Sequence, residues 1–200
     1  MQSLEKKILE DGIIIGNDIL KVDSFINHQI DCNLLWNISR HIANKFQNVD
    51  KIVTIETSGI AFAVGTAMQF DNIPVVFAKK STSKIVDDSS CYKASVKSFT
   101  KGSINEIRID KRFLIEGERV LVVDDFLAEG NAALGLVDIL KQAKTEIVGV
   151  AVCVEKRFQG GRKKLEDLGY KVYSAASIDA FKDGKPVFHR DWLIAYKAFV

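Results

Sequence analysis

The sequence predicts an α/β fold in which helices flank a central, mostly parallel β-sheet. Two observations lead to this prediction. Short runs of β-branched residues alternate along the chain with segments of helical spacing, and the length of 200 residues suits one domain. Because two strands joined through a helix run parallel, the alternation predicts a parallel sheet. Apolar residues make up 47% of the chain and charged residues 27%, as in proteins with a buried core.

The strands and helices follow one another from residue 51 onward. The first unit consists of the strand "KIVTI", the helical stretch "SGIAFAVGTAMQF" and the strand "IPVVFA". The second consists of the strand "RVLVV", the helix "NAALGLVDILKQA" and the strand "EIVGVAVCV". The helical stretch "GRKKLEDLG" and the strand "YKVYSAASI" complete the pattern, which predicts five strands in a mostly parallel sheet.

Three segments lie outside this pattern. Residues 80–109 show no helical period, and "SCYKASVKSFT" within them alternates as an exposed hairpin does. An excursion of that length in a compact domain is either disordered or a functional lid, and we expect a flexible flap over residues 80–108. The first 35 residues have no strong period, and the tail "DWLIAYKAFV" predicts a short amphipathic helix.

Composition excludes several classes of protein. A net charge of +2 gives no support to nucleic-acid binding. The cysteines, Cys32, Cys91 and Cys153, have no CxxC spacing, and the three histidines, His28, His41 and His189, show no metal-ligand spacing. The start of the chain lacks an apolar signal core, and the longest apolar run is too short to cross a bilayer. We therefore expect a cytoplasmic protein without nucleic-acid or membrane partners.

The stretch "RVLVVDDFLAEGNAA" is the strongest functional signal. Asp124 and Asp125 follow an apolar strand, and ligands of parallel sheets lie at the carboxyl ends of strands. The small-residue turn after them leads into a helix N-terminus, whose N–H groups and dipole attract phosphate. Carboxylates accept hydrogen bonds from hydroxyls, so the stretch suits a sugar phosphate. The alternative is a strand that ends in solvated aspartates before an ordinary helix cap.

This stretch resembles the phosphoribosyl-pyrophosphate (PRPP) signature of type I phosphoribosyltransferases. Further segments extend the resemblance over most of the chain, to the bacterial xanthine phosphoribosyltransferases: "LKVDSFINHQID", "KIVTIETSGIA", "PVVFAKK", "SVKSFT" and "EKRFQGGR". The resemblance implies a homodimeric purine-salvage transferase that converts xanthine and PRPP to xanthosine 5′-monophosphate (XMP) and pyrophosphate. It implies one domain over residues 1–200, with a hood formed by residues 1–35 and the C-terminal segment.

The resemblance also implies roles for individual residues. Asp124 and Asp125 correspond to the catalytic pair on the ribose hydroxyls, and Leu20, Asn27 and Lys156 to contacts with xanthine. The 5′-phosphate loop corresponds to Ala128, Glu129, Gly130, Asn131 and Ala132. The pyrophosphate site corresponds to Glu56, Thr57, Ser58 and Gly59, with Lys79 and Lys80 nearby. On residue chemistry alone, "ETSG" before a helix is a second anion site or merely a helix cap.

The phosphate loop departs from the family pattern. The family usually has Thr or Ser hydroxyls there, whereas this chain has Ala128 and Ala132. Glu129 adds a negative charge beside the expected anion. We expect its side chain to point outward or to accept a hydrogen bond from a backbone N–H.

Residue chemistry favours an oxygen-rich base. The Lys156 ammonium only donates, which suits the carbonyls of a 6-oxopurine, and Asn27 both donates and accepts. The alternatives are a strand-end lysine and an ordinary loop asparagine; Phe158 either stacks on the base or belongs to the core. Mg²⁺ is expected to bridge pyrophosphate and ribose oxygens with few or no protein ligands. Two other functions stay open: a hypoxanthine or guanine phosphoribosyltransferase, and a non-catalytic PRPP-sensing regulator with an added DNA-binding region.

Overall fold

The fold was obtained as a computed structural model, which describes residues 1–80, 88–97 and 104–190. Its helices are α1 (Gln2–Asp11), α2 (Cys32–Ala43), α3 (Gly59–Ala67), α4 (Asn131–Gln142) and α5 (Gly161–Asp167). Its strands are β1 (Ile13–Ile15), β2 (Ile19–Lys21), β3 (Lys51–Ile55), β4 (Val75–Ala78), β5 (Cys91–Lys97), β6 (Ile104–Asp110), β7 (Arg119–Leu127), β8 (Glu146–Lys156), β9 (Val172–Lys182) and β10 (Lys185–Phe188). The helix predicted for the last ten residues lies outside the described ranges, as do parts of the predicted flap.

The six-stranded central sheet confirms the predicted α/β architecture. Its order is β10-β9-β8-β7-β3-β4, and only the β9–β10 pair is antiparallel. After β3 the chain moves to one edge through β4, and after β7 it moves to the other edge through β8 and β9. The carboxyl ends of β3 and β7 therefore flank the point where the strand order reverses, which is where open α/β sheets bind ligands.

Two apolar layers cover the two faces of this sheet. On one face α1, α2 and α3 pack, and their buried members include Ile8, Ile38 and Phe62. On the other face α4 and α5 pack together with the β5–β6 hairpin, where Leu136 and Leu165 are fully buried. Adjacent residues of each central strand alternate between the layers, as side chains of a pleated strand must. Burial on both faces explains why these strands are continuous apolar runs in the sequence.

The hairpin predicted as exposed is half-buried. β5 and β6 pair antiparallel, which confirms the hairpin, but Ala94, Val96 and Ile107 face α4 and are buried. A Cβ added to Gly135 of α4 would lie 2.4 Å from Val96 Cγ2, so this glycine admits the close contact. The alternating pattern therefore marks a hairpin with one face on a helix rather than one surrounded by solvent.

Local sequence patterns did not predict the helix and strands of the first 35 residues, which the resemblance implies only as a hood. Helix α1 buries Leu4 and Ile8, one turn apart, against the sheet layer, and β1 and β2 form a small hairpin. A short π-helix (Asp23–Asn27) follows and buries Phe25. This segment covers the carboxyl edge of the central sheet. Within the described ranges, no helix combines the length and the apolar content that crossing a bilayer requires.

Candidate active site

A cavity of about 870 Å³ opens at the carboxyl ends of β3 and β7. It is walled by the N-terminal segment, the β3–α3 turn, the β5–β6 hairpin, the β7–α4 connection and the end of β8. Its lining includes most of the predicted site residues: Leu20, Asn27, Glu56, Thr57, Ser58, Lys80, Asp124, Asp125, Ala128, Glu129, Gly130, Asn131, Ala132 and Lys156. Gly59 and Lys79 are absent from the lining. The structure therefore brings nearly all of the predicted site residues together around one cavity, and the role of each residue stays a prediction.

Asp124 and Asp125 lie within β7, because this strand continues to Leu127 rather than ending before them as predicted. Asp124 is buried and its Oδ1 accepts the backbone N–H of Asp125 at 2.9 Å, whereas Asp125 is half-buried. Burial and the neighbouring Asp125 carboxylate raise the pKa of Asp124 well above its ordinary value, and Lys80 partly opposes this rise. A hydrogen bond donated by a hydroxyl group would therefore stabilise the charged form of this carboxylate pair.

The β3–α3 turn packs tightly on this pair. A Cβ on Gly59 would lie 2.5 Å from Asp124 Oδ1 and 2.4 Å from Thr54 Oγ1, so only glycine fits at the start of α3. The Glu56–Thr57 peptide bond is cis, and Glu56 Oε1 accepts the backbone N–H of Lys80. Gly59 thus supports the wall of the cavity from behind.

Lys80 and Lys79 have different surroundings. Lys80 lines the cavity, and its charge acts on Asp124. Lys79 exchanges backbone hydrogen bonds with Arg108 at 3.0 Å in each direction, and its side chain is exposed. Of these two lysines, only Lys80 lines the cavity. The pyrophosphate role of Lys79 stays a prediction.

The predicted phosphate loop is a three-residue turn, Ala128 to Gly130, that runs directly into α4 at Asn131. Gly130 has φ of +85°, in the left-handed region that favours glycine. No hydrogen bond within the described ranges uses the backbone N–H groups of residues 129–133. These N–H groups lie at the positive end of a 12-residue helix and line or border the cavity. The alanines add no hydroxyls, so backbone N–H groups are the donors that this loop offers to an anion.

Glu129 behaves differently from expectation. Its Oε2 accepts a hydrogen bond at 3.0 Å from the side-chain amide of Asn131, not from a backbone N–H. The same amide also donates to the carbonyl of Lys97 at the end of β5, at 3.3 Å. Asn131 therefore holds the carboxylate of Glu129 and joins the phosphate loop to the hairpin.

Lys156, the last residue of β8, lies at the opposite side of the cavity. Its side chain is buried and its Nζ donates to the carbonyl of Asp18 at 2.8 Å. Burial lowers the pKa of Lys156, while the Asp18 and Glu129 carboxylates favour its charged form. Asn27 Nδ2 lies 3.5 Å from Asp125 Oδ2, and buried Leu20 adds an apolar surface.

Phe158 is separate from this group. Its ring packs edge-on against Phe181 with centroids 5.5 Å apart, and it remains 42% exposed outside the cavity lining. Its ring partner Phe181 is partly buried and packs against the core.

A cluster of buried polar residues lies beside the cavity, next to Lys156. Glu155, next to Lys156 in β8, is fully buried and accepts two hydrogen bonds of 2.7 Å from Arg162. Burial alone would raise the pKa of Glu155, but hydrogen bonds from Arg162, Ser174 and Ser177 outweigh it and hold this pKa below its ordinary value. Glu155 and Arg162, the first and last charged residues of the segment "EKRFQGGR", are therefore structural.

The fold and this site define a phosphoribosyltransferase. Residues 29–184 match the family of the phosphoribosyl transferase domain, and the chain belongs to this family. Its curated relatives include the xanthine phosphoribosyltransferase of Clostridium novyi, 47% identical over 94% of this chain and 99% of the relative. The xanthine phosphoribosyltransferase of Oenococcus oeni is also 47% identical, over 94% of this chain and 91% of its own.

Solved structures share the fold at lower identity. The adenine phosphoribosyltransferase of Thermoanaerobacter pseudethanolicus superposes with a TM-score of 0.64 at 22% identity, covering 74% of this chain and 82% of its own. That of Leishmania donovani gives a TM-score of 0.70 at 17% identity, covering 90% and 82%. At these identities the likeness concerns the fold alone.

Proposed function

We propose that this chain transfers the 5-phosphoribosyl group of PRPP to xanthine and releases XMP and pyrophosphate. One observation carries the proposal: a single cavity joins a loop of available N–H donors, a pair of carboxylates and a buried lysine. These three features suit a phosphate, ribose hydroxyls and an oxygen-rich base, in that order. The names of the curated relatives support the choice of xanthine.

The reaction breaks the bond between the anomeric carbon and the pyrophosphate oxygen, and a purine nitrogen forms the new bond to that carbon while its proton is lost. Positive charge develops on the sugar as pyrophosphate leaves. The carboxylates of Asp124 and Asp125 accept hydrogen bonds from the ribose hydroxyls. Their negative charge stabilises the positive charge that develops on the sugar. Lys80 and the β3–α3 turn face the departing pyrophosphate, while Lys156 donates to a base carbonyl. Holding both substrates in line within the cavity supplies much of the acceleration.

Mg²⁺ belongs to the proposed reaction as a partner of PRPP. Within the described residues no group of three His, Cys, Asp or Glu side chains could hold a metal ion. Asp124 and Asp125 are hard oxygen donors of the kind that Mg²⁺ prefers, and both line the cavity. When bound, the ion would neutralise charge on pyrophosphate, and Asp124 and Asp125 are the residues that could contact it.

The hood, the flap and the dimer complete the proposal. The hood includes residues 1–35, whose Leu20 and Asn27 line the cavity, and the flap includes the β5–β6 hairpin. Four large apolar side chains, on α2, on α3, directly after α3 and on edge strand β4, are between 39% and 53% exposed: Trp36, Val64, Met68 and Phe77. These favour pairing with a second copy of the chain. A cytoplasmic location is part of the proposed salvage role. The proposed dimer would be refuted if light scattering found a fully active monomer.

The test is pyrophosphate release from PRPP with xanthine, guanine, hypoxanthine and adenine in separate reactions. We expect xanthine to be used best, guanine and hypoxanthine well behind, and adenine negligibly. A preference for guanine or hypoxanthine would favour the first alternative function. PRPP binding without release for any base would favour the non-catalytic regulator.

A further inference from the structure

Helix α5 contacts the phosphate loop from the side opposite the cavity. The N–H of Gly161 donates to the carbonyl of Ala128 at 3.0 Å. The Nζ of Lys164, one turn further along α5, donates to the carbonyl of Glu129 at 2.8 Å. Two consecutive carbonyls of the loop therefore both point at α5.

The direction of these carbonyls fixes the direction of the loop N–H groups. In a trans peptide unit the C=O and the following N–H lie in one plane and point in opposite directions. The carbonyl of Ala128 is paired in this way with the N–H of Glu129, and the carbonyl of Glu129 with the N–H of Gly130. Both units are trans. Drawing the carbonyls toward α5 therefore turns both N–H groups away from α5, toward the cavity that Glu129 and Gly130 line.

Helix α5, which holds the two loop carbonyls, is anchored to the rest of the fold. Arg162 of this helix donates two hydrogen bonds to fully buried Glu155, and the side chain of Leu165, also of this helix, is fully buried. A Cβ on Gly161 would lie 2.4 Å from the Ala128 carbonyl oxygen and 2.7 Å from the Gly130 nitrogen, so the contact leaves no space for another side chain. The loop therefore packs directly on a helix that is itself hydrogen-bonded to a buried residue of β8.

We propose that Lys164 is a positioning residue for PRPP: by holding the carbonyl of Glu129, it keeps the Glu129–Gly130 peptide unit turned so that its N–H faces the 5′-phosphate. This assignment rests on the proposed function for the identity of the substrate. Lys164 itself does not line the cavity, so it acts through the loop and not by contact with the anion.

The test compares Lys164→Met with Lys163→Met. Lys163 is the neighbouring lysine of α5, its side chain is 78% exposed, and it pairs only with Asp167 among the described contacts, at 2.7 Å. Both variants lose one charge from the same helix, but only Lys164→Met releases the loop. Because a misdirected donor weakens a hydrogen bond to a charged group, we expect Lys164→Met to raise the KM for PRPP about threefold to tenfold. Its KM for the base should stay near the wild-type value, and Lys164→Arg should restore the KM for PRPP.

Calorimetry with ribose 5-phosphate separates this inference from the proposed function. Lys164→Met should bind this probe more weakly than wild type by a similar factor, at an unchanged melting temperature, and Lys163→Met should match wild type. If wild type released no pyrophosphate with any base but this pattern held, the proposed function would fail and the positioning role would stand. If Lys164→Met matched Lys163→Met in both PRPP KM and ribose 5-phosphate affinity, the positioning role would be overturned.

Discussion

Replacing Lys156 by methionine should change which bases the protein uses. Methionine keeps an unbranched stem of similar length in the buried space at the end of β8, but it removes the ammonium donor. A hydrogen bond to a charged group contributes about 1.5–3 kcal/mol, which corresponds to roughly tenfold to hundredfold in binding or rate. We therefore expect kcat/KM for xanthine to fall by about that factor.

The bases should not respond equally. Guanine and hypoxanthine share the C6 carbonyl of xanthine, so their already lower kcat/KM should fall as well. Adenine carries an amine at C6 and gains nothing from an ammonium donor, so its low activity should not fall. A site built around a buried hydrogen bond discriminates because the wrong base leaves a polar group unpaired. Removal of the donor should therefore compress the ranking of the four bases.

The assay is steady-state pyrophosphate release with each base at saturating PRPP. Lys21→Met is the control: Lys21 lies in β2, in the N-terminal segment that also holds Asp18, and its side chain is about half exposed and pairs with Asp23 at 3.1 Å. Because Lys156 also binds the carbonyl of Asp18 at 2.8 Å, the melting temperature of each variant must be measured alongside. A uniform loss for all four bases, or an intact ranking in a folded Lys156→Met protein, would refute the assignment of this lysine to the base.

The remaining predictions concern the carboxylates, the phosphate loop and the flap. Asp124→Asn combined with Asp125→Asn should abolish turnover in a folded protein, and near-normal pyrophosphate release would contradict the ribose role. Because the pKa of Asp124 is raised on folding, its contribution to stability is present below the ordinary pKa of 3.8 and is lost as pH rises through the raised value. The free energy of unfolding in urea should therefore fall in wild type as pH rises from 3.8 through the raised pKa of Asp124. The Asp124→Asn variant should not show this fall. Glu129→Gln keeps an acceptor for Asn131 but removes a charge, so the KM for PRPP should fall about twofold to fivefold; a rise would show that the carboxylate aids binding. Hydrogen exchange in the β5–β6 hairpin should slow when PRPP and base are bound, and equal rates in both states would count against a lid.

Local sequence patterns predicted five strands of the central sheet and the helices between them, whereas the family resemblance supplied most of the residues that line the cavity. The stretch from Arg119 to Ala133 was interpretable alone because a buried strand, a carboxylate pair and a small-residue turn are consecutive in sequence. The stretch from Glu56 to Gly59 also joins a strand to a helix start, but its residues alone are equally consistent with an ordinary helix cap. Such units fold by short-range rules, and the sheet topology then places their ends together.

Contacts between distant segments could not be predicted in the same way. The carbonyl of Asp18 meets Lys156 across 138 positions, and Lys164 meets Glu129 across 35. A backbone acceptor carries no residue-type signal, so nothing in the sequence distinguishes Asp18 from its neighbours. The burial of one hairpin face also depends on α4, since Gly135 makes room for Val96. One signal was available: the glycine pair before Arg162 indicated a close backbone approach, which Gly161 makes with the phosphate loop.

The most direct test of the account is product analysis of the purified chain with PRPP, Mg²⁺ and xanthine. Chromatography should show XMP and pyrophosphate formed in equal amounts, with no product from adenine and none from the folded Asp124→Asn, Asp125→Asn variant. Absence of XMP from an intact, PRPP-binding protein, or formation of the adenine nucleotide at the same rate as XMP, would contradict the proposed function.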